Sequence, residues 1–126
     1  MLLGNPCKLR PGLGDENNMV QIKGNALITG AAKRIGRHLA LTLAQDGWAI
    51  AVHYRSAKEE AASLVDEIKA AGGTACSVQA DLSQEVSTST LVSASAATLG
   101  GPITTLINNA SVFEHDTWES ACKASW

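Results

Sequence analysis

The residues whose types and spacing could do chemistry fall at two places. After the apolar run Ala26-Leu27-Ile28-Thr29 comes Gly30-Ala31-Ala32-Lys33-Arg34-Ile35-Gly36. A glycine-bearing turn between a strand and a helix aims backbone N–H groups, at the positive end of the helix dipole, at whatever binds there. That geometry suits a pyrophosphate. Gly30 permits the tight turn, and Gly36 lets the helix pack close to the sheet. Such glycines also serve plain βα connections, so the turn alone is a weak signal. The second place is more specific. An NAD-binding unit carries Asp or Glu at the end of its second strand, about 20 residues on, to hold the ribose 2′-hydroxyl. Here that stretch is His53-Tyr54-Arg55-Ser56. No carboxylate stands there to repel a 2′-phosphate. Arg55 can meet one with its planar fork, Ser56 and the N–H groups of the next helix can add hydrogen bonds, and Arg34 can reach it from the first turn. Ser56 equally suits helix capping, and the two roles are compatible; Arg55 alone would also pass as a solvated charge. Together these residues predict NADP(H) rather than NAD(H).

These residues need elements to position them. Ala26 to Thr29 is a short apolar run of the kind that forms a buried strand. Ile35, Leu39 and Leu43, with Ala40 and Ala44 beside them, mark one face of a helix that Gly47 ends. Trp48 to Val52 reads as a second strand. Ser56 with Glu59 three residues on matches a capping box, and Ala61, Leu64, Val65 and Ile68 form the buried stripe of the helix it would start. Gly72-Gly73 stop that helix, Thr74 to Gln79 is a third strand, and Ser83 to about Leu99 is a Ser-, Thr- and Ala-rich third helix. After Gly100-Gly101-Pro102, Ile103 to Ile107 makes a fourth strand, followed by Asn108-Asn109-Ala110-Ser111. Asp116 and Glu119 suggest the capped start of one more helix, cut short at Trp126. The order β-α-β-α-β-α-β predicts an α/β Rossmann arrangement, a doubly wound parallel sheet of strand order 3-2-1-4 truncated after strand 4. Its switch point lies between strands 1 and 4.

The bulk properties agree with one small domain. The chain has 126 residues, 45% of them hydrophobic and 17% charged, and a formal net charge of −2. That balance leaves no electrostatic footprint for nucleic acid or an anionic membrane, and no apolar run approaches the length of a membrane span. Cys7, Cys76 and Cys122 are far apart and odd in number, which argues against a disulfide framework or a metal site and fits a reducing cytoplasm. Residues 1–18 are rich in Gly, Pro and Asn without a period. They read as a disordered leader, or as the product of a start upstream of Met19, leaving 19–126 as the N-terminal half of an NADP-binding Rossmann domain.

These motifs resemble the short-chain dehydrogenase/reductase family, whose members carry Thr-Gly-x-x-x-Gly-x-Gly after strand 1 and Asn-Asn-Ala-Gly after strand 4. Both are present in order, with Arg34 in place of the middle glycine and Ser111 in place of the last. Those departures, with Lys33-Arg34, His53-Tyr54-Arg55-Ser56 and Asn109-Ala110-Ser111-Val112-Phe113, are similar to the pteridine reductase branch, which reduces dihydropterins or dihydrofolate. The resemblance covers about residues 22–126. It implies that Gly30, Arg34 and Ile35, with Gly36 in the same motif, line the pyrophosphate and nicotinamide side. His53, Tyr54, Arg55 and Ser56 would surround the 2′-phosphate, Asp81 and Leu82 would flank the adenine, and Asn109 and Ala110 would sit against the adenosine ribose. Ser111 would bond both cofactor and substrate, and Phe113 would stack on the pterin; on its own, Phe113 reads as a packing residue. A small-molecule substrate is implied, a pterin or dihydrofolate, and homo-oligomers are implied for full-length relatives.

The family's proton donor is a tyrosine in Tyr-x-x-x-Lys, on a helix after strand 4, its pKa lowered by the lysine. The single tyrosine, in Tyr54-Arg55-Ser56-Ala57-Lys58, fits that string but sits at the phosphate end of strand 2, so no catalytic residue is identifiable. Three readings follow: a truncated NADPH-dependent pteridine-type reductase, a non-catalytic NADP-binding fragment, or a family member acting on another carbonyl substrate such as 3-oxoacyl-carrier-protein. Ser111 and Phe113 speak against the last. Strand 4 as an open edge predicts a chain that is marginally stable or sticky.

Overall fold

In the computed structural model, which describes residues 9–10, 20–113, 115 and 117–125, four parallel strands form one sheet: β1 (Asn25–Ile28), β2 (Ala49–Tyr54), β3 (Thr74–Gln79) and β4 (Thr105–Ile107). Three helices connect them: α1 (Arg34–Gln45), α2 (Lys58–Ala70) and α3 (Glu85–Leu99). The spatial order is β3-β2-β1-β4, as the alternation of strands and helices predicts. Asn25 pairs with Ala49 and Ala26 with Thr105, so β1 is bonded on both edges and β4 on one. Within residues 1–18, Leu9–Arg10 forms a short antiparallel ladder with Val20–Gln21; the rest of the stretch expected to be a disordered leader lies outside the described residues. Among the described residues, no helix is long and apolar enough to cross a membrane.

Alternation along the strands divides the core into two layers. Ala26, Ile28, Ile50, Val52 and Ala75 face α1 and α2, where they meet Ala40, Ala44, Ala61, Leu64, Val65 and Ile68. Leu27, Ala49, Ala51 and Cys76 face α3 and meet Leu91 and Leu99. β1 and most of β2 are buried on both faces, which is why they read as unbroken apolar runs. Helix α3 tolerates its hydroxyl-rich sequence because side chains bond back to the preceding turn. Ser95 donates to the Leu91 carbonyl at 2.8 Å and Thr98 to that of Ala94 at 2.8 Å.

Four local expectations are corrected. The buried face of α1 is Gly36, Ala40 and Ala44; of the expected stripe the two alanines are buried, Leu39 and Leu43 are only partly buried against the same core, and Ile35 is 71% exposed. The helix approaches the sheet too closely for large side chains, so small ones meet it and the leucines flank the contact. Strand β2 starts after Trp48 and continues through His53 and Tyr54, and β4 is shorter than Ile103–Ile107. Ser56 does not cap α2: the N–H of Lys58 turns back to the Ser56 carbonyl at 2.9 Å, and Ala57 takes the cap position without a side-chain bond. No α-helix follows β4 among the described residues. A turn at Thr117–Ser120 and a 3-10 helix, Lys123–Ser125, lie where Glu119 suggested one, and Asp116 lies outside the described residues.

Candidate functional site at the strand ends

A parallel sheet brings the carboxyl ends of its strands to one edge, so the β1–α1 turn, the ends of β2 and β3, and the segment after β4 are neighbours. The turn is held from two sides. From β4, the N–H groups of Asn109 and Ala110 both donate to the Thr29 hydroxyl at 3.0 Å, and the Asn109 amide donates to the carbonyls of Thr29 at 3.0 Å and Gly30 at 3.2 Å. Asn109 thus spends both amide hydrogens on the turn. From β2, the Gly30 N–H donates to the His53 ring at 3.0 Å and the Ala31 N–H to the His53 carbonyl at 3.0 Å.

The glycines at this crossing are sterically required. Gly30 has φ of 62°, and a Cβ there would lie 2.9 Å from the Ala110 Cα. A Cβ on Gly36 would lie 2.5 Å from the Gly30 carbonyl oxygen and 2.6 Å from the Asn109 amide nitrogen. Arg34, in the position of the motif's middle glycine, keeps a left-handed backbone with φ of 55°. Arg34 and Lys33 line an open cleft of about 530 Å³ between the starts of α1 and α2, with Ala32, Arg37, Glu59, Glu60 and Ser63. Lys33 pairs there with Glu60 at 2.9 Å, and this bond holds the Glu60 carboxyl below its ordinary range.

At the ends of β2 and β3, the Ala80 N–H donates to the Tyr54 carbonyl at 3.1 Å and the Gln79 side chain to that of Arg55 at 3.0 Å. Arg55 and Ser56 are exposed and Tyr54 is half-buried. Asp81 accepts the Ser83 hydroxyl at 2.7 Å and its N–H at 3.0 Å. Those bonds, and then the nearby charge of Arg55, hold its carboxyl below the usual range. Leu82 is partly exposed beside it.

His53 departs from the sequence expectation. It is 2% exposed, and both ring nitrogens are bonded to backbone, Nδ1 to Gly30 and Nε2 to the Ala80 carbonyl at 2.9 Å. The longer β2 carries it into the sheet, so its ring cannot face a phosphate. Ser111 is exposed, and Phe113 is 89% exposed, its ring stacked on His115 with centroids 6.4 Å apart. Among the described residues the Phe113 ring is not packed into either core layer. Sequence reasoning passed over Thr29 as a site residue. Its signal is its place at the strand end, directly before Gly30.

The donor set fits a dinucleotide phosphate. The N–H groups of Gly30 and Ala31 are consumed internally, but those of Arg34, Ile35 and Gly36, at the start of α1, lack intrahelical acceptors. Arg34 and Arg55 add exposed guanidinium groups at the strand-end edge of the sheet.

A family model for short chain dehydrogenases matches residues 24–126. The chain is 44% identical over 97 residues to an uncharacterized oxidoreductase of Methylorubrum extorquens, covering 76% of this chain and 39% of that one. It is 36% identical over 88 residues to the 3-oxoacyl-[acyl-carrier-protein] reductase FabG of Staphylococcus aureus, covering 70% of this chain and 35% of that one. Among solved structures, the FolM alternative dihydrofolate reductase 1 of Brucella suis, in complex with NADP, superposes with a TM-score of 0.74 at 37% identity, covering 82% of this chain and 42% of that one. The chain thus spans about two-fifths of the length of these proteins.

Proposed function

The chain belongs to the short chain dehydrogenase family, and on that footing we propose that it supplies the NADP(H)-binding part of a reductase acting on a pterin or dihydrofolate. The observation that carries the cofactor half is the carboxylate-free end of β2, where exposed Arg55 and Ser56 take the place of the residue that would hold a 2′-hydroxyl. Arg34, Ile35 and Gly36 would hold the pyrophosphate and nicotinamide side, and Asp81 and Leu82 the adenine. Ala110 and Ser111 would follow the ribose toward the substrate, with Asn109 bracing the turn from behind. The bound cofactor would supply hydride. Phe113 would present its ring to a flat heteroaromatic substrate, since aromatic pairs favour offset stacking, and Ser111 would donate or accept a hydrogen bond at the substrate edge. The FolM relative's complex with NADP supports this reading.

A second reading is favoured by the FabG relative: reduction of an acyl-carrier carbonyl. Ser111 and Phe113 weigh against it, because a glycine at position 111 is the pattern in that branch. Fluorescence titration of the purified chain tests the cofactor, with tighter binding of NADPH than of NADH as the expected result and equal affinities as the result that overturns it. Titration of the NADPH-loaded chain with dihydrobiopterin tests the substrate. Phe113→Ala should weaken it about tenfold, and an unchanged affinity would remove the pterin assignment.

A further inference from the structure

His53 is left without a part by this reading of the site, and its surroundings give it one. Its Nδ1 faces an amide N–H, Gly30, which can only donate; its Nε2 faces a carbonyl, Ala80, which can only accept. The partners therefore select the tautomer with hydrogen on Nε2. The ring joins the first glycine of the β1–α1 turn to the residue after β3, directly before Asp81. The His53 carbonyl takes the next N–H of the same turn, that of Ala31. One buried residue thus spans the pyrophosphate side and the adenine side of the site.

We propose that His53 is a positioning residue for dinucleotide binding, its Nδ1 holding the Gly30 N–H inward so that the N–H groups of the first turn of α1 face the pyrophosphate. The inference rests on the NADP(H) reading and deepens it. Without that bond, Gly30 has a part-buried donor that loses its acceptor, and its left-handed backbone loses the contact that orients it. The two ring bonds can be separated by substitution. Asn carries an oxygen near the position of Nδ1 and keeps an acceptor for Gly30. Gln carries an amide nitrogen near the position of Nε2 and keeps a donor for Ala80.

The experiment compares the whole chain with its His53→Asn and His53→Gln variants in three measurements: affinity for NADPH, affinity for adenosine 2′,5′-bisphosphate, which lacks the bridging pyrophosphate, and urea stability. His53→Gln should lose at least about tenfold in NADPH affinity while binding the bisphosphate within about threefold of the parent, and His53→Asn should retain NADPH within about threefold. Two results would overturn the proposal: NADPH affinity intact in His53→Gln, or both ligands lost by both variants in proportion to lost stability. A folded parent chain that fails to bind NADPH overturns the NADP(H) reading and this inference with it. Should either variant not fold, the imidazole nitrogen spectrum of the parent chain decides: hydrogen on Nε2 of His53 supports the assignment, and hydrogen on Nδ1 overturns it.

Discussion

Arg34 carries two demands at once. Its φ of 55° belongs to a position where the family motif has glycine, and a side chain there costs about 1–2 kcal/mol. Under the proposed NADP(H) reading, the charge it brings to the β1–α1 turn would be the compensating gain. Arg34→Gly should therefore raise stability in urea by about 0.5–1 kcal/mol, after the entropy glycine adds to the unfolded chain. It should also weaken NADPH about tenfold, as expected for a lost hydrogen bond to a charged group. Arg55, in the same proposal, would act on selectivity instead. Arg55→Glu should weaken NADPH at least about tenfold and leave NADH within about threefold, because only the 2′-phosphate meets the introduced carboxylate. Parallel losses for both dinucleotides would place Arg55 outside the 2′-phosphate site. The sequence offers Arg34, Arg55 and Ser56 as candidates because charge and spacing are local properties, and the structure leaves all three exposed. His53 was misplaced because nothing local distinguishes a histidine that ends a strand from one that begins a loop.

At the scale of elements, α2 is the helix whose sequence speaks most directly. Ala61, Leu64, Val65 and Ile68 are the stripe read from spacing, and all are buried against the sheet. Leu64→Ala should cost about 2–5 kcal/mol, seen as a lower urea midpoint with an unchanged slope. Helix α1 was harder to read, since the largest apolar residues set the apparent stripe while close packing selected the small ones beside it. The β4 segment is tied to the turn through Thr29, whose hydroxyl accepts two backbone N–H groups. Thr29→Val keeps the shape and removes that acceptor. It should cost about 1–3 kcal/mol and lower NADPH affinity through the loosened turn; full retention of both would show that the Asn109 amide bonds suffice.

For the whole molecule, acid is the informative variable. The carboxyls of Asp46, Glu60 and Asp81 are lowered from ordinary values of 3.8, 4.5 and 3.8 by Lys23, Lys33 and Ser83 respectively. A lowered carboxylate contributes stability above its unfolded value and loses it as pH falls through the folded value. Urea midpoints should thus be flat with respect to these groups above pH 4.5 and decline from there downward past 3.8. The groups are at the surface, so the decline is shallow and salt reduces it. Among the described residues, Leu106 on the edge strand β4 and Val112, Phe113 and Trp118 after it are exposed large apolar side chains. The isolated chain should associate as concentration rises, and light scattering checks this; a monomer persisting into the hundred-micromolar range would contradict it.

Periodicity and turn residues by themselves determined the βα alternation. Right-handed connection of such units leaves the order 3-2-1-4, because doubly buried strands and one-sided helices admit few other packings. They also located the glycine turn and the carboxylate-free end of β2. The tertiary structure alone decided which face of α1 meets the sheet, where α2 begins, and that His53 belongs to the interior. Those outcomes depend on how closely elements approach, and on which buried donors find acceptors across strands about twenty to eighty residues apart, distances over which a local pattern carries no information.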